Sequence, residues 1–346
     1  MRGRRFSSSV ARALLAVAAL LALAGHALAQ APTLDTVRKR GVLNCGVNTG
    51  LVGFSVPDGR GRWSGFDADF CRAVAAAVFG DGAKVRFVPL NAKERFTALQ
   101  SGEIDILSRN TTWTMSRDTS LGLNFTGVAY YDGQAFMVRK SAGVKGAADL
   151  AGASICVQSG TTNELNVADF FATLGATYRP VVFERLDEVR SAYLNGRCDA
   201  FTTDSSQLIS ERTQLPDPDA HEMLPDLISK EPLGPAVRQG DALWSNIVRW
   251  TLFALINAEE FGITQANVEE SRAASSPEIR RLLGTDGELG KALRLNSDWV
   301  VAVVKAVGNY GECFERNLGG ASPLKIARGR NALWTHGGLI YAPPFR

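Results

Sequence analysis

From Leu34 onward, short apolar runs alternate with longer stretches whose apolar residues recur at helical spacing. The runs Val42–Val47, Lys84–Pro89 and Ile104–Leu107 have the length and turn-residue borders of buried strands. Between them, Gly65-Phe66-Asp67-Ala68-Asp69 opens a helix whose body is Phe70–Phe79, and Ala92–Ser101 places Phe96 and Leu99 on one inward face before Gly102 ends it. A polar helix over 32–40, closed by Gly41, leads into this unit. The rhythm restarts further on. Gln134–Arg139, Ser154–Val157, Val181–Phe183 and Asp199–Thr203 read as strands, and Asp187–Asn195 as a helix closed by Gly196. Thr161 opens another helix and fits a capping box with Glu164. Gly234–Arg238 reads as one more strand. Ala242–Glu259 reads as a long amphipathic helix, Trp299–Val307 as a further helix, and Gly319–Arg346 as a Gly- and Pro-rich tail packed on the body. Two βαβα units with one rhythm imply an α/β protein with doubly wound, largely parallel sheets.

One stretch combines this pattern with candidate chemistry. After the strand Ile104–Leu107 comes the polar loop Ser108-Arg109-Asn110-Thr111-Thr112, then Thr114 as a helix N-cap with Arg117 about one turn in. The C-terminal end of a strand in an open α/β sheet is where ligands bind. Clustered hydroxyls, a helix start and a guanidinium suit a carboxylate. Asp67 and Asp69 are expected only to favour their helix start. Phe54 and Trp113 fit either core or cleft lining, and His221 and His336 are expected to be incidental.

The N-terminus changes the charge picture. Arg2, Arg4, Arg5 and Arg12 precede an apolar run, Ala13–Ala24, and Ala27-Leu28-Ala29 is a cleavage site before Gln30. Residues 1–29 are therefore expected to be a signal peptide, with no lipoprotein Cys after it and the general secretory route favoured over the twin-arginine one. Removing them, with their four Arg and no acid, leaves 317 residues and takes the formal net charge from +3 to −1. A nearly neutral chain of that length suggests two lobes and argues against nucleic acid as a partner. Five Cys and three His match no zinc spacing, so no metal and no cofactor are expected. Export permits disulfides. Element placement favours Cys45–Cys71 and Cys156–Cys198 within lobes, with Cys313 free; buried thiols are the alternative.

The joint order of Gly65-Phe66-Asp67-Ala68-Asp69, Ala98 to Asp105, the Arg117 loop, Ser159-Gly160-Thr161-Thr162 and Gly196 to Asp204 resembles the bacterial extracellular solute-binding proteins, family three. Ser108–Thr114, Gly308–Asn317 and Leu339–Pro344 are similar to its general L-amino-acid-binding branch. The resemblance implies the two-lobe, type II periplasmic binding protein fold, with crossover strands near Met137–Lys140 and Gly234–Arg238. The expected lobes are 30–138, 139–235 and a return at 236–346 that carries a C-terminal helical extension. It further implies that Arg117 holds a ligand α-carboxylate, with Thr112 and the Asn110 region beside it. Thr162, next to Thr161, would reach that carboxylate from the second lobe, and Asp204 would accept from the α-ammonium. Arg95 matches the position that acidic-amino-acid binders use for a side-chain carboxylate. Arg109 stands where small serines are common, and Leu51-Val52-Gly53-Phe54 lacks the usual stacking aromatic. The implied protein is a monomeric periplasmic component of an ABC importer, taking acidic and polar L-amino acids (glutamate, aspartate, glutamine) best and meeting a permease in the inner membrane.

Two other classes compete. A periplasmic dehydratase on the same fold needs a titratable acid or base beyond the zwitterion clamp, and no His is placed there by motif. A sensory ectodomain needs a second membrane span and a cytoplasmic module, which the composition does not supply.

Overall fold

The structure is a computed structural model that describes residues 32–346; the expected signal peptide, 1–29, lies outside the described residues. Two five-stranded sheets form the body. In the first, the order is Val85–Leu90, Leu43–Asn48, Ile106–Leu107, Ala236–Arg238, Leu123–Phe125. In the second it is Arg179–Phe183, Ser154–Gln158, Ala200–Asp204, Gln134–Arg139, His221–Met223. Each sheet begins with three parallel strands whose earliest strand is central, and each then takes an antiparallel fourth strand. The repeated rhythm along the chain is thus a repeated topology.

The two sheets are joined by an antiparallel pair, Tyr130–Asp132 against Glu231–Leu233, in the register Glu231↔Asp132 and Leu233↔Tyr130. This differs from the expected crossovers. Gln134–Arg139 is a full member of the second sheet, paired from Gln134↔Asp204 to Val138↔Ala200, and Phe136, Met137 and Val138 are completely buried there. Ala236–Arg238 likewise pairs inside the first sheet. The chain therefore crosses a few residues earlier both times, because apolar residues on both faces draw those strands into the sheets.

Local chemistry explains the main helices. Phe66–Phe79 starts at Gly65, whose φ is 125°, and a Cβ there would stand 2.2 Å from the Phe54 carbonyl oxygen. Only glycine fits. Ala242–Glu260 is capped by Asp241, which accepts from the Trp244 N–H at 2.9 Å, and it buries Trp244, Ile247, Val248, Thr251, Leu252 and Leu255 at helical spacing. Trp299–Val307 packs its valines against this helix and Phe66–Phe79. The disulfides Cys45–Cys71 and Cys156–Cys198 are formed, one in each sheet region, and Cys313 is a buried free thiol. The tail reaches the junction: Asn331 accepts from the Tyr131 N–H at 2.6 Å and donates to its carbonyl at 3.1 Å.

The turn after the second crossing is tightly packed, since a Cβ on Gly234 would lie 2.0 Å from the Gly127 carbonyl oxygen. Overpacking against backbone costs on the order of 1–3 kcal/mol. Gly234→Ala is expected to lower unfolding free energy by that amount, read as a reduced urea midpoint at unchanged m-value.

Candidate functional site

The C-terminal ends of the parallel strands of both sheets face one another across a narrow cleft whose free volume is about 10 Å³, room for roughly one water. The loop after Ile106–Leu107 forms its first-lobe wall. Arg109 is buried there, its Nε donating to the Leu90 carbonyl at 2.8 Å. Asn110 adopts a left-handed backbone (φ 32°), a conformation that asparagine tolerates better than most residues. Its side chain accepts from Asn48 Nδ2 at 3.1 Å and donates to Gln207 Oε1 of the second lobe at 3.0 Å.

Asp67 holds this loop in place. One carboxylate oxygen accepts from the Asn110 N–H at 2.8 Å and the other from Ser108 Oγ at 3.1 Å. Burial raises its pKa to about 6, against the pull of those bonds and of Arg109. From the sequence, Asp67 is expected only to favour its helix start. The available signal was its place one turn from the strand ends, and its partners lie 41 to 43 residues away.

Thr112 leads into the helix Met115–Thr119, which Thr114 caps by accepting from the Arg117 N–H at 3.3 Å. Arg117 Nη1 donates back to the Thr112 carbonyl at 2.9 Å. Arg95 and Arg117 both lie over the Phe96 ring, at 4.6 and 5.1 Å from its centroid. Arg95 Nη1 donates to Thr111 Oγ1 at 3.3 Å, Nη2 reaches the Gly160 carbonyl of the second lobe at 3.5 Å, and its Nε is buried without a partner.

On the other wall, Thr161 donates to the Gln158 carbonyl at 2.7 Å, and Glu164 accepts from the Gly160 N–H instead. The capping box expected of Thr161 and Glu164 is therefore not formed, because the hydroxyl is spent on the preceding turn. The helix Thr162–Thr173 follows. Asn163 donates to Asp204 Oδ1 at 2.8 Å, and Asp132 accepts from the Ser206 N–H and hydroxyl. Glu231, on the junction strand, accepts from the hydroxyls of Thr112 and Thr162, which stand 3.4 Å apart across the cleft.

Seven of the eight expected residues line the cavity: Arg95, Arg109, Asn110, Thr112, Thr161, Thr162 and Asp204. Arg117 stands behind Thr112. Gln158, Asn163 and Gln207 also line it, without a motif that marks them; Glu231 accepts from two of the lining hydroxyls, and Asp132 is near enough to Asp204 to raise its pKa. Phe54 is core, edge-on to Tyr130, and Trp113 is a half-exposed surface ring stacked on Phe125.

The electrostatics are those of a site that wants both charges. Burial is the first cause lowering the pKa of Arg95, Arg109 and Arg117, and the neighbouring guanidiniums add to it for Arg95. Burial likewise pushes the Asp204 carboxyl well up, with Glu231 and Asp132 adding repulsion. Three buried cations and a buried anion on opposite walls match the two charges of a zwitterion.

The model of the bacterial extracellular solute-binding proteins, family 3, matches residues 43–267. The chain is 61% identical over its whole length to the general L-amino acid-binding periplasmic protein AapJ of Rhizobium johnstonii, all of which is covered. It is 55% identical, over 96% of this chain and 97% of the relative, to the glutamate/glutamine/aspartate/asparagine-binding protein BztA of Rhodobacter capsulatus. Among solved structures, an ABC transporter periplasmic binding protein from Brucella ovis with glutathione bound is 61% identical. It superposes with a TM-score of 0.90 over 92% of this chain and 100% of the other. These relatives are named as binding proteins rather than as enzymes. The two-sheet architecture, the expected motif order and these matches agree, and the chain belongs to the bacterial extracellular solute-binding proteins, family 3.

Proposed function

We propose that this chain is the periplasmic substrate-binding component of an ABC importer for L-amino acids. In this reading it is a broad binder that prefers acidic and polar ligands. The observation that carries it is the narrow polar cleft between the sheets, which buried Arg95 and Arg109 line together with buried Asp204. In this reading Arg117 holds the α-carboxylate, with Thr112, the Asn110 region, Arg109 and the Thr161–Thr162 turn around it. Asp204 takes the α-ammonium, and Arg95 meets a side-chain carboxylate. The two walls are the lobes, hinged at Tyr130–Asp132 and Glu231–Leu233, and the ligand draws them together. AapJ and BztA, named for general L-amino acids and for glutamate, glutamine, aspartate and asparagine, support this ligand class. The chain acts as a monomer that delivers its ligand to a permease in the inner membrane.

A dehydratase would need a free acid or base at the ligand. Asp67, Asp132 and Glu231 have both carboxylate oxygens engaged within the protein, and Asp204, bonded to Asn163 through Oδ1, is given in this reading to the α-ammonium. That supports binding without turnover. Calorimetric titration with a panel of common L-amino acids, with product analysis of the same mixtures, tests both readings.

Three outcomes are expected. Arg117→Ala and Asp204→Asn each break a buried ion pair with the ligand and should cost about 3 kcal/mol or more. Binding within about threefold of wild type by calorimetry excludes the assignment. Burial, with Glu231 and Asp132 adding repulsion, raises the Asp204 pKa, and a bound ammonium would pull it back down. Binding should therefore release protons and weaken as the pH falls, measurable as a buffer-dependent binding enthalpy. Arg95→Ala should weaken glutamate and aspartate by about 1–3 kcal/mol and spare alanine and glutamine. Equal losses for all four would assign Arg95 to structure, and a wild type that prefers lysine or arginine over glutamate would remove the acidic preference.

A further inference from the structure

Glu231 does not line the cavity, yet it touches both walls of it. It sits on the junction strand Glu231–Leu233 and is 1% exposed. Its Oε2 accepts from Thr112 Oγ at 2.5 Å and from Thr162 Oγ at 2.8 Å. Its Oε1 accepts from Asn166 Nδ2 at 2.6 Å and from Ser229 Oγ at 2.7 Å. Thr112 belongs to the first-lobe loop, while Thr162 and Asn166 lie on the helix Thr162–Thr173 of the second.

A threonine hydroxyl has one hydrogen to donate and two lone pairs to offer. Glu231 Oε2, at 2.5 and 2.8 Å, takes both hydrogens in preference to the longer 3.4 Å contact between the two hydroxyls themselves. What the two oxygens present to the cavity is therefore lone pairs only. A ligand carboxylate finds no donor in either hydroxyl, whereas an ammonium finds two acceptors, in a cavity that Asp204 also lines. An α-ammonium has three hydrogens, and three acceptors would meet it.

We infer that Glu231 is a positioning residue that turns Thr112 and Thr162 into a paired acceptor for the ligand α-ammonium. The α-carboxylate is then left to Arg117 and to N–H groups at the start of the helix Thr162–Thr173. This rests on the amino-acid-binding reading and, within it, moves the hydroxyls of Thr112 and Thr162 from the α-carboxylate to the α-ammonium. Glu231→Gln separates orientation from packing. Asn166 and Ser229 are both donors at Oε1, so the amide oxygen stays with them and the amide NH2 faces the threonines. Each threonine then turns its hydrogen toward the cavity, where it opposes an ammonium and suits a ligand that brings fewer hydrogens.

The test compares L-glutamate with 2-hydroxyglutarate of the same handedness, in which a hydroxyl replaces the ammonium, by calorimetry and competition. Glu231→Gln is expected to weaken glutamate at least tenfold and to change the hydroxy acid less than threefold, with an unchanged melting temperature. Losses of equal size for both compounds, no loss of glutamate binding, or a hydroxy acid undetectable with either protein would overturn the inference. Should Glu231→Gln not fold, Thr112→Val deletes one acceptor directly and must show the same selective loss of glutamate; an equal loss for both compounds again overturns it. A wild type that binds no amino acid in the panel fails the functional reading and this inference with it. A wild type that binds while the variant is unselective fails this inference alone.

Discussion

A chain that passes twice between two sheets must lay two strands side by side in the gap, and their register decides what faces the cleft. Here Glu231 pairs with Asp132 and Leu233 with Tyr130. That register places two carboxylates at the junction, half-buried Asp132 gripping Ser206 and buried Glu231 gripping Thr112 and Thr162. The same pair is extended by the polar loop, since the Trp113 N–H donates to the Pro232 carbonyl and the Gly234 N–H to the Thr111 carbonyl. The loop bearing Arg109, Asn110 and Thr112 is thus stitched to the hinge. Asn331 of the C-terminal tail bonds both backbone groups of Tyr131, which ties the extension to the junction as well.

The charges depend on that frame. Taking guanidiniums out of water is costly unless each finds an anion. Arg95 and Arg109 rest on carbonyls, a hydroxyl and a phenyl face, with no acid in direct contact, and the pull of Asp67 on Arg109 and of Asp204 on both offsets only part of the cost of their burial. Asp204 is in the converse position, bonded to the neutral Asn163 amide and raised by its fellow acids. The walls are held apart by a few ångströms and joined by the Asn110–Gln207 bond at 3.0 Å. A ligand that brings one charge to each wall relieves both at once, in a space where low polarity strengthens the attraction. The price of preorganising such a site is the support beneath it: Asp67 under the loop, Phe96 under two guanidiniums, and Gly65 where a side chain would strike Phe54.

Much of this was legible along the chain because it is local. Strand and helix positions follow from apolar spacing, as at Ala242–Glu260 and Trp299–Val307, where buried residues recur at the helical period. The N-cap at Thr114 needs only the residues after it. The Cys pairs join elements that are neighbours within a βαβ unit, 26 and 42 residues apart. Candidate residues such as Arg117, Thr112 and Asp204 stand at strand ends, where α/β sheets collect function.

What required the tertiary structure is whatever rests on distant partners. Apolar content marked Gln134–Arg139 as a strand but did not say which sheet would take it; burial on both faces and pairing with Ala200–Asp204 decided that, and moved the crossing to Tyr130–Asp132. Thr161 and Glu164 had capping-box spacing, yet the hydroxyl found the Gln158 carbonyl first. Asp67 looked like a helix-start acid until its oxygens were seen on Ser108 and Asn110. Glu231 carries no local signal at all. Its partners Thr112 and Thr162 lie 119 and 69 residues away, and only the register of two strands in the gap brings a carboxylate to both.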